Sequence, residues 1–238
     1  MSGHSHAKTV AHKKGIADVK RSKIFSKMAS EIGIAAKGGG DPIANPRLRI
    51  AIERARSFNM PTANIERAIK RGTGEEQGAA LEEVLFEGYG PENIAVLVEG
   101  ITDNKNRTLG EVKQVFEKHR GKLAGEGAVR WMFQRRGTIA LTPTDKSKED
   151  LELLSIEAGA EDLYWKEDNT LEVYTKPALV EQVKKVLEEQ GVLVESALLE
   201  WIPKERVALS QKDKETAEKL FLALDESEAV QEIYSNLK

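Results

Sequence analysis

GTIALTPTDKSKEDLELLSIEAGAEDLYWKEDNTLEVYTKPALVEQVKKVLEEQGVLVESALLEW, residues 137–201, is the stretch whose pattern decides the fold. Apolar residues alternate over 138–141, which predicts a strand. Leu151, Leu154 and Ala158 fall at steps of three and four, which predicts a helix over 148–158. Two short alternating runs follow at 162–166 and 170–174, separated by the turn formers Glu167-Asp168-Asn169. Pro177 suits the first turn of a helix over 177–190, and 192–201 closes the unit as a strand. The order is β-α-β-β-α-β, the ferredoxin-like arrangement, and it predicts a domain over 136–203.

Working outward, strands are expected at 82–88 and 93–100 around the turn Gly88-Tyr89-Gly90-Pro91. A helix at 105–119 follows, with Leu109, Val112, Val115 and Phe116 on its apolar face, then a strand at 128–133. Beyond Pro203 come a strand at 206–210, a helix at 212–224 and a strand at 229–234. Successive separate domains would leave incomplete sheets with open edges. A discontinuous α/β domain, 79–135 plus 204–238, with 136–203 inserted in it, closes both sheets.

The N-terminal third reads differently. A helical stripe of Ile24, Phe25, Met28, Ile32 and Ala35 ends at Gly38-Gly39-Gly40-Asp41-Pro42. Asn45 is the expected N-cap of a second helix with Pro46 in its first turn, burying Leu48, Ala51, Ile52, Ala55 and Phe58. After Asn59-Met60-Pro61 a third helix runs to Arg71, burying Ile65, Ala68 and Ile69, with Gly72 as its cap. The expected architecture is therefore α+β: a basic arm (1–20), a three-helix bundle (21–78), and two ferredoxin-like α/β domains, one inserted in the other.

Charge follows the same division. Residues 1–71 hold 15 of the 36 Lys and Arg against five acids, a net of +10. From Gly72 onward 21 basic residues face 34 acidic ones, a net of −13. Three of the four histidines, His4, His6 and His12, also lie in the basic part. A basic segment of this density suits a polyanion, and the usual one is nucleic acid. The candidate contacts are His4, His6, Lys8, His12, Lys13 and Lys14 in the arm and Lys20, Arg21, Lys23 and Lys27 on the first helix. Arg47, Arg49, Arg54 and Arg56 on the second helix join them, with Lys70 and Arg71 on the third. Lys and Arg bind phosphate by charge and charge-assisted hydrogen bonds.

Other chemistry finds little support. With no cysteine there is no disulfide, thiolate ligand or thiol nucleophile. Ser2-Gly3-His4 could wrap a square-planar cation if Met1 were removed, but no carboxylate or thiol completes a site, so neither metal nor cofactor is expected. Gly38-Gly39-Gly40 follows a helix, whereas a phosphate loop precedes one. His119 sits at a helix end, where the helix dipole favours a cation and a structural role. Thr102 or Asp103 is expected to cap the 105–119 helix, and Trp131-Met132-Phe133 and Trp201-Ile202-Pro203 to pack in a core or domain interface. The apolar run 94–98 is far too short to cross a membrane, and no secretory signal is visible, so a soluble cytoplasmic monomer is expected.

Several long motifs in order resemble the YebC family. They include Gly3-His4-Ser5, His12-Lys13-Lys14, Asp18 to Lys27 and Gly38-Gly39-Gly40-Asp41-Pro42. Asn59-Met60-Pro61, Asn64 to Gly74, Glu87 to Pro91 and Thr102 to Thr108 continue the likeness. Trp131-Met132-Phe133, Ala158 to Asp162 and Ile202-Pro203-Lys204 complete it. The chain departs from the family at His6-Ala7-Lys8, where Lys-Trp is usual after Gly-His-Ser, and at Thr62-Ala63, where Lys-Asp is common. The resemblance implies three domains and no catalytic activity. It also implies a regulator of gene expression that binds DNA, or a translation factor that meets rRNA at ribosomes stalled on proline-rich stretches. No helix gathers the Asn, Gln and Arg cluster that direct base readout favours, so weak sequence specificity is expected.

Overall fold

The computed structural model describes residues 18–143, 146–166 and 168–238, with side chains from residue 21 onward. Among the described residues the fold is mixed α/β, with seven helices and two four-stranded antiparallel sheets. It falls into two compact units. One contains the described residues up to Val129 together with Leu209–Ser235, and the other contains Arg130–Ala208 with Asn236–Lys238.

The first unit begins with α1 (Asp18–Ala36), α2 (Pro46–Ser57) and α3 (Thr62–Thr73). Their apolar stripes converge on one core of Met28, Ile32, Leu48, Ile52, Met60 and Ile65, among others. Asn45 caps α2 as its sequence suggests: its side-chain oxygen accepts from the Leu48 N–H at 3.1 Å. Two details differ from expectation. Phe58 is exposed, because α2 ends at Ser57 and Met60 fills the core in its place. Gly72 is not the cap of α3 but lies inside it, where a Cβ would stand 2.3 Å from the Gly33 oxygen of α1. The cap is Gly74, in the left-handed conformation at φ 82.

The same unit then forms β1 (Glu82–Tyr89), β2 (Ala95–Thr102), α4 (Lys105–Lys118) and β3 (Lys122–Ala124). After the second unit it resumes as α7 (Gln211–Asp225) and β8 (Val230–Ser235), and its strand order is β3-β1-β2-β8. Central β2 is buried along nearly its whole length, as its unbroken apolar run requires. Here β3 was not foreseen, and 128–133 is not a strand: Ala128 turns back onto the Gly125 oxygen and Arg130–Met132 is a 3-10 turn. The residues 206–210 make only one bridge, Val207 to Leu237, and Ser210 instead caps α7 by accepting from Asp213 N–H. Asn104, rather than Thr102 or Asp103, caps α4, while Thr102 and Thr108 share a buried 2.8 Å hydroxyl contact beneath it. Leu109 lies off the buried face of α4 and is exposed.

The second unit contains β4 (Phe133–Leu141), α5 (Lys148–Ala158), β5 (Asp162–Trp165), β6 (Leu171–Thr175), α6 (Val180–Glu189) and β7 (Val194–Pro203), with strand order β5-β6-β4-β7. Its core gathers Ile139, Leu141, Leu151, Leu171, Val173, Val183 and Leu187. Strand β4 is longer than its sequence suggests because Gly137 does not break it. A Cβ there would meet the Thr175 hydroxyl at 2.4 Å, so the glycine allows β4 and β6 to pair closely. Trp131 is 66% exposed rather than core, whereas Phe133 is buried.

Candidate nucleic-acid interface

The turn between α1 and α2 is built around Asn45. Its amide donates to the Ala35 and Gly39 oxygens at 2.8 Å each, while its oxygen caps α2. One side chain therefore ties the end of α1, the glycine loop and the start of α2 together. That fixes where the arginines of α2 point.

The expected contact residues then separate into classes. His4, His6, Lys8, His12, Lys13 and Lys14, and the side chain of Lys20, lie outside the described residues. Lys23, Lys27, Arg47 and Arg54 are all matched by acids within the same unit. Lys23 pairs with Glu226, and Arg47 with Glu83. Lys27 donates to the Asp225 carboxylate at 2.7 Å and to its carbonyl oxygen at 2.8 Å. Arg54 reaches Glu31 and Glu232, each at 3.2 Å. Burial pulls the Arg54 guanidinium down, but Glu31 and Glu232 outweigh it and leave it above its ordinary value. These four cations hold α1 and α2 against the β1 and α7–β8 segments. Arg71 makes a looser pair with Glu76 at 3.7 Å.

Arg49, Arg56 and Lys70 are different. All three are exposed, and none has a carboxylate partner among the described residues; the same holds for Arg21 near the start of α1. Arg49 makes one 3.3 Å bond to the Pro42 oxygen. With Arg56 it lines an open cleft of about 330 Å³, shared with Pro42, Ile43, Ile52 and Glu53. Seven residues apart, the two guanidiniums sit two turns along one face of α2, about 10 Å by helix geometry. Arg67, one turn before Lys70 and Arg71 on α3, is a further exposed cation without a carboxylate partner among the described residues. The sequence reading passed over it, although its spacing to Lys70 and Arg71 is the signal that finds it. A cation without a carboxylate can take a phosphate oxygen directly, whereas a paired one must first release its acid.

Elsewhere the polar groups serve the fold. Buried Glu87 accepts the N–H groups of Gly127 and Val129 at 2.7 and 2.8 Å, holding the loop after β3. His119 caps α4 by its backbone, yet burial, Lys118 and Lys219 hold its imidazole below the ordinary value, the reverse of the dipole expectation. Among the described residues no cluster of His, Cys, Asp or Glu is placed to hold a metal ion, and no helix is long and apolar enough to cross a membrane.

Residues 5–75 match the family model described as the TACO1/YebC protein N-terminal domain, and residues 81–237 match the TACO1/YebC second and third domain. A "probable transcriptional regulatory protein" of Caldanaerobacter subterraneus is 45% identical over 100% of this chain and 98% of its own length. One from Trichlorobacter lovleyi is 48% identical over 99% of this chain and 95% of its own. The crystal structure of a conserved hypothetical protein from Aquifex aeolicus superposes with a TM-score of 0.85 at 43% identity, covering 96% of this chain and 95% of that one. The match runs through both units and through the helices that carry the exposed cations, and the chain belongs to the TACO1/YebC family.

Proposed function

We propose that the protein is a non-enzymatic regulator of gene expression that grips nucleic acid through its basic N-terminal part. The observation that carries this reading is the separation of the cations. Lys23, Lys27, Arg47 and Arg54 are spent on holding the helices, while Arg49, Arg56, Arg67 and Lys70 remain exposed with no acidic partner among the described residues. The basic residues of the arm (1–20) add further positive charge in the sequence. The relatives' names as transcriptional regulators support DNA as the polyanion. Phosphate contacts would position the protein, with little base readout.

The finer architecture belongs to the same reading. The three N-terminal helices are a three-helix bundle that presents the phosphate-binding face. The order β5-β6-β4-β7, with helices α5 and α6 as connections, supports a ferredoxin-like domain inserted between β3 and α7.

An rRNA contact on the ribosome is the alternative, because a body of net charge −13 opposes wrapping by a long polyanion and suits a site where only one end is engaged. Crosslinking the protein in cells and sequencing the bound nucleic acid separates the two. Promoter DNA is the expected yield. Predominant 23S rRNA would move the function to translation, and no enrichment of either would contradict the reading.

A further inference from the structure

Within the acidic part of the chain, residues 118–125, Lys-His-Arg-Gly-Lys-Leu-Ala-Gly, carry three cations, a histidine and no acid. They span the end of α4 and the edge strand β3. Gly121 closes the turn by donating to the Phe116 oxygen at 2.8 Å, and a Cβ on it would stand 2.8 Å from the Tyr89 oxygen. Arg120, just past the helix, is thereby held in the left-handed conformation at φ 60. Glycine is the usual occupant of such a position, because a Cβ there costs stability. Here it holds an exposed arginine whose side chain has no hydrogen-bond or carboxylate partner among the described residues. Lys118 and Lys122 on either side, and Lys219 on α7, are exposed and likewise have no carboxylate partner among the described residues. The adjoining acid of α4, Glu117, is paired with Lys113 at 3.9 Å, and Glu218 makes no ion pair with its neighbour Lys219. Helix α7 packs against α4. Burial, Lys118 and Lys219 together hold the His119 imidazole below its ordinary value, so both lysines stand near it, and no carboxylate offsets them.

We propose that Lys118, Arg120, Lys122 and Lys219 form a second site for the phosphates of a nucleic-acid backbone, built on elements other than α2 and α3. A backbone position that favours glycine is given to a guanidinium, and no bond within the fold accounts for the choice. The dipole of α4 accounts for a cation at Lys118, but Arg120 lies beyond the helix, Lys122 on β3 and Lys219 on α7. Clustered cations without acids repel one another, and a run of phosphates relieves that repulsion. Nucleic acid is favoured over an acidic protein because residues 118–122 offer no apolar side chain to anchor a protein interface. The inference rests on the reading that the partner is nucleic acid, but it concerns residues that the N-terminal grip does not use.

The test is the slope of log affinity against log salt for the full chain on a DNA duplex of about two helical turns, ~20 base pairs, and on an RNA duplex of the same length. Arg120→Gly should hold or raise the melting temperature, because glycine suits the left-handed position, and yet flatten the slope by about one. Arg120→Lys should keep the slope, and Lys118→Gln/Lys122→Gln should flatten it by about two. Lys184→Gln/Lys185→Gln removes the same charge from α6, where the two lysines pair with Glu188 and Glu189, and should leave the slope unchanged. Flattening on the DNA or on the RNA supports the site and tells which of the two it takes. Slopes that stay unchanged in Arg120→Gly and Lys118→Gln/Lys122→Gln, or that flatten equally in Lys184→Gln/Lys185→Gln, overturn this site. The N-terminal grip then still stands if Arg49→Gln/Arg56→Gln flattens them. Flattening at Arg120 but not at Arg49 and Arg56 would do the opposite. Failure to bind either duplex would overturn both.

Discussion

Single residues decide whether a positive charge serves the fold or the ligand. Arg54 lies between Glu31 and Glu232, and Arg49 reaches only a backbone oxygen among the described residues, although both belong to α2. Arg54→Ala would leave two carboxylates facing each other without their cation. Because the site is partly open to solvent, the expected loss is about 1–2 kcal/mol of stability, read from the denaturant midpoint. Arg49→Gln should leave the midpoint within about 0.5 kcal/mol and lower nucleic-acid affinity instead. His119 gives a pH signature. Burial and its lysine neighbours depress its pKa in the fold, so below its ordinary value of 6.5 the unfolded chain takes up the proton first. Stability should therefore be highest above about 6.5 and fall as pH drops through that value. His119→Gln should flatten that part of the profile, and an unchanged slope in thermal melts from pH 7 to 5 would refute the assignment.

At the level of elements, two joints hold the N-terminal helices. Asn45→Ala removes a cap and two further bonds to the end of α1, and the expected cost is about 1–2 kcal/mol. Gly72→Ala would drive a methyl into the Gly33 oxygen and push α3 off α1, costing about 1–3 kcal/mol. Denaturant melts of the two variants check both values. The sequence announced the first joint openly, since Asn45-Pro46 after a glycine loop is a local signal. It hid the second, because Gly72 reads equally well as a helix end until the neighbouring helix is in place. The same physics explains the strands. Gly137 reads as a boundary but lies inside β4, paired with Thr175, where a Cβ would meet the Thr175 hydroxyl and the Val180 side chain. The 206–210 run has strand-like residues, yet Ser210 is committed to capping α7. Trp131-Met132-Phe133 reads as a core or domain-interface run because large apolar residues usually are buried, whereas Trp131 lies in the 3-10 turn at 130–132 and is exposed. The candidate site was legible as a density of charge, while its division into paired and exposed cations was not, because the pairing acids stand as far away in sequence as Glu226 and Glu232.

For the whole molecule, the charge asymmetry gains a structural meaning. The +10 of residues 1–71 is partly neutralised where it meets the acidic segments of its own unit, and among the described residues Arg49, Arg56, Arg67 and Lys70 stay exposed on α2 and α3. Deleting residues 2–20 should remove much of the affinity, and unchanged binding would show that the arm contributes nothing. Contact with about six phosphates should weaken binding roughly a thousandfold between 50 and 200 mM salt. The most direct measurement is the slope of log affinity against log salt for a short DNA duplex, taken with the unaltered protein, Arg49→Gln/Arg56→Gln and Lys27→Gln/Arg54→Gln. Loss of Arg49 and Arg56 is expected to flatten the slope by about two, and loss of Lys27 and Arg54 to leave it unchanged after correction for folded protein. A slope that stays the same without Arg49 and Arg56, or flattens only without Lys27 and Arg54, would contradict the division of the cations on which the proposed grip depends.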